Sequence, residues 1–227
     1  GYLLYGITGS GKTEVYLRAI SDVLRSGKGA LVLVPEIALT PQLVERFRAR
    51  FGDRIAVLHS ALSDGERYDQ WRQIKRGELN IVIGARSAIF APINDLGIIV
   101  VDEEHDPSYK QGDGLRYHAR DMALIRGNRE HIPVILGSAT PSLESVFNVQ
   151  QKKLRRLNLP SRATGGTLPD VALIDLSTSP APDDGDRFLS MPVREALADT
   201  LSKGEQSIVF LNRRGSVSYT HLRAHET

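Results

Sequence analysis

Short apolar runs rich in Val, Ile and Leu recur along the chain as far as residue 136. Such continuous runs are typical of parallel strands that are covered on both faces, because neither side of the strand meets water. The runs lie at residues 3–5, 30–34, 55–58, 81–83, 98–101 and 134–136. The pattern therefore predicts six buried strands of a parallel sheet.

Helical patterns fill the intervals between these runs. Apolar residues at helical spacing, among them Tyr16 and Ile20, mark a helix that ends near Gly27. Thr40 before Pro41 predicts an N-cap with proline in the first turn, and residues 63–66 form a capping box. Strands and helices that alternate in this way predict an α/β fold, an open parallel sheet flanked by helices with right-handed crossovers.

The alternation breaks around residues 150–170. A basic run here could contact DNA, but we interpret it as a solvated segment near a linker; it comprises Lys152, Lys153, Arg155 and Arg156. The elements predicted beyond it are strands at 171–176 and 208–211 and a helix at 192–201. The predicted organisation is a first lobe at 1–160, a linker at 161–168, the start of a second lobe at 169–215, and an aberrant tail at 216–227.

Composition limits where and how the protein acts. The 227 residues carry 29 Lys and Arg against 27 Asp and Glu, a net charge of +2, which is too small for a chain-wide nucleic-acid-binding surface. Any such site must be a local groove. The absence of Cys excludes thiolate metal sites and fits a reducing, cytoplasmic location. No apolar run could cross a bilayer, so no membrane partner is expected. Because the chain begins at Gly1, we expect a piece of a longer protein.

A glycine-rich turn follows the first predicted strand and opens the first helix. It fits the G-x-x-x-x-G-K-[ST] pattern, in which backbone N–H groups cradle phosphates, the lysine reaches the β- and γ-phosphates, and the last hydroxyl ligates Mg²⁺. A turn that binds nothing is the alternative, but the strand-to-helix context favours a phosphate loop. The predicted nucleotide-binding residues are Gly6, Ile7, Thr8, Gly9, Ser10, Gly11, Lys12 and Thr13.

The predicted strand at 98–101 runs directly into carboxylates. Asp102 and Glu103 would reach the carboxyl edge of the sheet, where the phosphate loop also lies. We predict that Asp102, with Thr13, holds Mg²⁺ and that Glu103 orients and deprotonates the water attacking the γ-phosphate. A solvated acidic turn is the alternative, and the pairing with the phosphate loop disfavours it. The predicted catalytic residues are Lys12, Asp102 and Glu103.

Several motifs together resemble those of superfamily 2 helicases. Asp102, Glu103, Glu104 and His105 resemble a DExH box, residues 137–140 the Ser-Ala-Thr motif, and residues 35–42 and 83–88 motifs Ia and Ib. More narrowly, residues 105–111 and 117–121 resemble the aromatic-rich loop of the replication-restart helicase family, primosomal protein N′ (PriA). Residues 211–215 resemble motif IV of that family.

The resemblance implies a P-loop NTPase of RecA-like fold with the beginning of a second RecA-like lobe. It implies an ATP- and Mg²⁺-dependent, 3′-to-5′ DNA helicase of replication restart that acts on single-stranded and forked DNA. Replication-restart proteins and the loader of the replicative helicase are its implied partners. The family's zinc insertion and arginine-bearing motif VI do not occur in this sequence. We therefore expect no zinc binding, and ATP binding with poor hydrolysis.

The loop after the carboxylates mixes aromatic rings with cations, which suits stacking on bases and contact with phosphates. We predict that it transmits DNA contact to Glu103; a surface loop with incidental tyrosines is the alternative. Ser138 and Thr140 precede Pro141, so they would cap a helix there, sense the γ-phosphate, or both. The predicted coupling and DNA-contacting residues are Arg86, Ser87, Tyr109, Lys110, Arg116, Tyr117, His118, Ser138 and Thr140.

Two other functions stay open on sequence alone. Another superfamily 2 translocase, such as a restriction or repair motor, would carry the same general motifs. A non-catalytic module whose DNA affinity is switched by ATP would carry the same phosphate loop. In the tail, His221 and His225 stand at i, i+4, but no third metal ligand is apparent, and we interpret the tail as foreign sequence rather than a site.

Overall fold

The structure is a computed structural model that describes residues 1–163, 165, 170–178 and 189–210. The chain divides into two compact units, Gly1–Thr167 and Leu168–Thr227. The predicted tail at 216–227, the motif IV-like stretch at 211–215 and part of the predicted linker lie outside the described residues. The predicted lobe boundaries therefore stay predictions.

The first unit is built on one seven-stranded parallel sheet with the strand order β3-β4-β2-β5-β8-β1-β9. All six strands predicted from the apolar runs are present. A separate two-stranded antiparallel hairpin pairs β6 with β7. The strands are β1 Tyr2–Gly6, β2 Gly29–Leu33, β3 Ile55–Leu58, β4 Ile81–Gly84, β5 Leu96–Val101, β6 Lys110–Gln111, β7 Tyr117–His118, β8 Val134–Ser138 and β9 Arg155–Leu159.

Helices cover both faces of this sheet. Side chains alternate along each strand, so Leu31 packs into the core cluster on one face and Val32 into the cluster on the other. The face of Val32 is covered by α1 and α2, and the face of Leu31 by α3 and α4. The helices are α1 Lys12–Arg25, α2 Pro41–Phe51, α3 Asp64–Lys75, α4 Ala119–Arg129, α5 Leu143–Gln150 and α6 Met191–Ser202. Within the described residues, no helix is long and apolar enough to span a membrane.

The helix-start signals act as predicted. Thr40 Oγ1 accepts a hydrogen bond from the Leu43 N–H at 3.3 Å, with Pro41 in the first turn of α2. Ser63 Oγ accepts from the Glu66 N–H at 3.3 Å, and the Glu66 carboxylate accepts from the Ser63 N–H at 2.9 Å. These caps begin α2 and α3 at the carboxyl edge of the sheet, where each preceding strand ends.

The side chains of the basic run are exposed, as predicted, but its last two residues, Arg155 and Arg156, begin an edge strand that was not predicted. Strand β9 pairs in parallel with β1, from Tyr2 opposite Arg155 to Gly6 opposite Leu159. Most side chains of β9 are exposed. The strand is therefore held by backbone hydrogen bonds to β1, and its sequence has no apolar run from which it could be predicted. Arg156 also covers the Tyr5 ring at 4.6 Å.

The described part of the second unit contains α6, which confirms the predicted helix at 192–201. The strand predicted at 171–176 is absent from the described residues 170–178, and residues 208–210 are not in a strand either. A strand needs a partner that accepts its ladder of hydrogen bonds. No partner strand lies in the described part of this unit, and Leu173 and Ile208 are almost fully exposed.

Candidate nucleotide site and its coupling elements

The turn between β1 and α1 has the shape of a phosphate loop, and its glycines are required for that shape. Gly9 and Gly11 have φ of 78° and 92°, in the left-handed region that favours glycine. A Cβ at Gly6 would lie 2.5 Å from Ser10 Oγ. The Ser10 N–H donates to the Ile7 carbonyl at 3.0 Å, which closes the turn. Gly9 and Gly11 therefore give the loop its backbone conformation, and a side chain at Gly6 would collide with Ser10 inside the turn.

Polar groups inside this loop are arranged for an anion. Lys12 is only 9% exposed, and its Nζ donates to the Gly6 carbonyl at 2.9 Å and lies 3.9 Å from Glu103 Oε1. Ser10 Oγ is buried and has no hydrogen-bond partner among the described residues. A buried polar atom without a partner is costly, so an incoming phosphate oxygen would satisfy it. Thr13 lies beside Lys12 in the first turn of α1.

The phosphate loop and the carboxylates at the end of β5 line one cavity of about 640 Å³. The volume suits a nucleotide. Glu103 has a φ of 44°, a left-handed conformation that is uncommon for a residue with a side chain. Burial raises the pKa of the Asp102 carboxyl. Burial, and next the Asp102 charge, raises the pKa of the Glu103 carboxyl. The cavity thus places two carboxylates of reduced acidity opposite the lysine.

Three residues that line this cavity or contact its carboxylates were missed by the sequence analysis. The hydroxyl of Tyr16 donates to Asp102 Oδ1 at 2.9 Å, and Arg46 and Arg50 of α2 line the cavity wall. Tyr16 was assigned to the core because it falls on the apolar face of α1, and it is indeed only 2% exposed. The available signal was the i, i+4 spacing of the two arginines, which places them on one face of a helix. That spacing does not show that the face lines the cavity, because this depends on how α2 packs beside α1.

His105 connects the carboxylates to the next strand end. Its Nδ1 lies 2.8 Å from the buried Ser138 Oγ and 3.6 Å from Glu103 Oε2, and its Nε2 lies 3.3 Å from Thr140 Oγ1. The structure therefore brings these four predicted residues together. The prediction that Ser138 or Thr140 caps a helix at Pro141 is wrong, because α5 begins at Leu143 and its N-cap is Ser142.

Glu104 serves a different purpose from its neighbours, since it points away from the cavity and is completely buried. Its carboxylate accepts from Arg120 Nη1 at 3.2 Å, from Ser142 N–H and Oγ at 2.7 and 2.9 Å, and from Ser145 Oγ at 2.8 Å. This network fastens the acidic turn to α4 and to the N-terminus of α5. The network therefore fixes the position of the turn that carries the carboxylates at 102 and 103.

A family model described as DEAD/DEAH box helicase matches residues 2–149. The chain belongs to the DEAD/DEAH box helicase family. The matched range contains the phosphate loop, the acidic strand end and the Ser138 turn described above.

Curated relatives narrow the likeness within the DEAD/DEAH box helicases. Replication restart protein PriA of Bacillus subtilis (strain 168) is 50% identical over 222 residues, which cover 98% of this chain and 28% of the relative. The PriA protein of Chlamydia pneumoniae is 50% identical over 215 residues, 94% of this chain and 29% of the relative. The predicted resemblance to PriA is confirmed, and the chain spans less than a third of the length of these relatives.

A solved structure shows the same fold. The Pyrococcus furiosus Hef helicase domain aligns with a TM-score of 0.50 and 22% identity, over 70% of this chain and 35% of that chain. The first unit is thus a RecA-like DEAD/DEAH box helicase lobe, as the sequence predicts.

The aromatic-rich loop of this helicase lobe is attached to the acidic turn by a buried tyrosine. Tyr109 is 0% exposed, and its hydroxyl donates to the Asp102 carbonyl at 2.6 Å. The prediction that Tyr109 stacks on a base is wrong, because its ring is packed in the core. Arg86 Nη1 donates to the carbonyls of Ser108 and Lys110 at 3.1 and 2.9 Å, on either side of Tyr109. Arg86 therefore holds the loop.

The other predicted loop residues lie nearer the surface of the helicase lobe. Lys110 and Arg116 are exposed, and the Tyr117 ring packs edge-on against Phe90 with centroids 5.1 Å apart. His118 is half-buried, and its Nδ1 has no hydrogen-bond partner in the part of the chain that the structure describes. Burial, and next the Arg120 charge, lowers the pKa of its imidazole. A second cavity of about 280 Å³ opens here. Its lining includes His59, Arg67, Arg86, Ser87 and Tyr117.

Proposed function

We propose that this chain is the ATP-binding lobe of a DNA helicase motor that acts in replication restart, with 3′-to-5′ movement coupled to ATP hydrolysis. The observation that carries the proposal is the single cavity lined by Lys12, Asp102 and Glu103. The similarity to PriA proteins supports replication restart as the setting. We assign residues 1–160 to the first lobe and 169–215 to the start of the second, in a cytoplasmic protein.

The residues of the cavity fit a magnesium-bound triphosphate. The left-handed glycines of the loop and the buried Ser10 hydroxyl, which has no partner among the described residues, suit phosphate oxygens, and Thr13 and Asp102 offer the oxygen ligands that Mg²⁺ prefers. When bound, Mg²⁺ would neutralise charge on the β- and γ-phosphates. Lys12 would exchange its bond to the Gly6 carbonyl for bonds to these phosphates.

Glu103 is the proposed general base. A carboxylate with a raised pKa accepts a proton more readily than an ordinary one, and Glu103 has a raised pKa and lines the cavity. It would hold the attacking water in line with the γ-phosphate and take up its proton. Its contacts with Lys12 and His105 keep the carboxylate beside the phosphate loop.

DNA would be held by polar and basic side chains around the second cavity and on the exposed loop. His59, Arg67 and Ser87 line that cavity, while Lys110 and Arg116 are exposed on the adjoining loop. Phosphate contacts made by such side chains release counterions, so affinity should fall steeply with salt. Single-stranded and forked DNA, restart proteins and the loader of the replicative helicase are the partners that we propose by similarity to PriA.

The proposal is tested first by nucleotide binding. A fluorescent ATP analogue carrying the methylanthraniloyl (mant) group should bind the 227-residue chain, and Lys12→Ala should abolish binding. Glu103→Gln should keep binding but lose phosphate release stimulated by single-stranded DNA. Turnover of the 227-residue chain should be slow, because motif VI does not occur in its sequence and an arginine finger of the kind that motif VI supplies is worth about 10³–10⁵ in rate. Wild-type binding that survives Lys12→Ala would contradict the proposal, and turnover that survives Glu103→Gln would favour a different catalytic base.

A further inference from the structure

Asp102 is held at two of its atoms by two buried tyrosine hydroxyls. Tyr16 donates to the carboxylate oxygen Oδ1 at 2.9 Å, and Tyr109 donates to the backbone carbonyl at 2.6 Å. The two rings come from opposite faces of the sheet, since Tyr16 lies in the core under α1 and Tyr109 in the core under α4. Neither ring has a surface left for a ligand, because the rings are 2% and 0% exposed.

Tyr16 stands one turn beyond the lysine and threonine of the phosphate loop on the same helix. Helix α1 therefore fixes Lys12, Thr13 and Tyr16 relative to one another. The hydrogen bond from the Tyr16 hydroxyl fixes the Asp102 carboxylate relative to the same helix. The space for the hydroxyl is reserved by Gly137 in β8, where a Cβ would lie 1.6 Å from the Tyr16 oxygen. No other residue type at 137 is compatible with this position of Tyr16.

We infer that Tyr16 is a positioning residue for the magnesium site, and that Tyr109 fixes the same carboxylate through its main chain. The inference rests on the proposed function, because it assigns residues that set the geometry of that site. With Oδ1 engaged by Tyr16, we assign the other carboxylate oxygen of Asp102, which lines the same cavity as Thr13, to a metal-bound water. A carboxylate held in one rotamer loses less entropy when the ion binds.

Tyr109 extends this arrangement into the aromatic-rich loop. Arg86 bonds to the carbonyls on both sides of Tyr109, so the loop, the Arg86 side chain and the Asp102 carbonyl form one hydrogen-bonded path. A displacement of the loop would have to stretch the Tyr109 bond or move Asp102. Through this path, a movement of the loop would shift the Asp102 carboxylate without involving Glu103.

The test measures how much Mg²⁺ strengthens nucleotide binding, rather than turnover. The dissociation constant for mant-ATP is measured on the 227-residue chain with Mg²⁺ and with EDTA, and their ratio is the Mg²⁺ gain. Tyr16→Phe keeps the buried ring and removes only the hydroxyl. We expect it to reduce the Mg²⁺ gain by about threefold to tenfold, the equivalent of one hydrogen bond, with the EDTA value unchanged. Tyr109→Phe should act in the same direction.

Tyr5→Phe is the matched control, because no hydrogen bond of the Tyr5 hydroxyl to a described residue is found in the structure. It should keep the wild-type gain. An unchanged gain in Tyr16→Phe, or an equal loss with Mg²⁺ and with EDTA, would overturn the inference. If Tyr16→Phe does not fold, Tyr109→Phe decides by the same ratio. Wild-type binding that depends on Lys12 but gains nothing from Mg²⁺ would overturn the inference and leave the nucleotide site standing.

Discussion

The buried ion pair between Glu104 and Arg120 should stabilise the first unit in an asymmetric way. Among the described residues, Arg120 is the only cation paired with Glu104, at 3.2 Å, and Glu104 is completely buried. Arg120 also contacts Asp121 at 3.0 Å and Glu144 at 3.8 Å. Removing the guanidinium therefore leaves a buried carboxylate without a counter-charge, whereas removing the carboxylate leaves Arg120 with two acidic neighbours.

The magnitude follows from this asymmetry. Arg120→Met keeps most of the side-chain volume and should lower the free energy of unfolding by about 3–5 kcal/mol, the usual cost of breaking a buried pair. Serine donors still bond to Glu104, so the lower part of that range is expected. Glu104→Gln should cost about 1–3 kcal/mol, because charge-assisted hydrogen bonds become neutral ones. The double variant should cost less than the sum of the two.

Trp71 provides the assay, because it is the only tryptophan of the chain and lies in α3 of the first unit. Its fluorescence during urea or heat unfolding reports on that unit. Arg120→Met should lower the thermal midpoint by about 6–20 °C, given about 2–4 °C per kcal/mol for a unit of this size. Arg129→Met, an exposed change on the same helix, should stay within about 0.5 kcal/mol of the wild type.

Two results would refute the reasoning. An Arg120→Met chain as stable as Arg129→Met would mean that the Glu104 carboxylate does not need its counter-charge. Strict additivity in the double variant with Glu104→Gln would mean that the two side chains do not interact, despite their contact.

Three further predictions concern the cavity. Gly137→Ala should destabilise the first unit by about 1–3 kcal/mol by colliding with Tyr16, while Gly112→Ala, in open space, should be neutral in the same unfolding assay. Burial raises the pKa of Asp102, so the protonated carboxyl stabilises the folded state at acid pH and this stabilisation is lost as the pH rises above about 4. Asp102→Asn does not titrate, so its free energy of unfolding should fall less than that of the wild type between pH 4 and 7. Parallel pH profiles of the two proteins would contradict this. Arg46 lines the cavity, so Arg46→Gln should weaken mant-ATP binding at low salt and less at high salt, and a salt-independent loss would exclude an electrostatic role.

The first unit could be predicted largely from local patterns. Its central strands are buried on both faces and therefore apolar throughout, and the phosphate loop is a contiguous motif with a fixed backbone shape. Strand β9 could not be found in this way, because an edge strand is stabilised by its backbone and its side chains Arg155 and Arg156 are exposed. The strand expected at 171–176 failed for the opposite reason, since apolar alternation without a partner in the described residues forms no ladder.

The site divides along the same line. The meeting of the phosphate loop with the carboxylates at one edge of the sheet was predicted from their motifs, but most other contacts between distant segments were not. Tyr109 was predicted to stack on DNA because an aromatic residue in a polar loop resembles a stacking platform, yet the ring is buried under Asp102. Arg120 was counted only as part of a motif, and its pairing with Glu104 depends on how α4 and α5 meet the acidic turn. Such contacts are set by topology, which the spacing of residues does not give.

The central claim is that Lys12 and Asp102 act on one metal-bound triphosphate. The most direct measurement is a crystal structure of the chain with Mn²⁺ and a non-hydrolysable ATP analogue, with the ion located by its anomalous scattering. We expect phosphates in the loop at residues 6–13, the terminal phosphate at Lys12 Nζ, and one ion between Thr13 and Asp102. An analogue bound outside the loop, or an ion beyond the reach of Asp102, would contradict it.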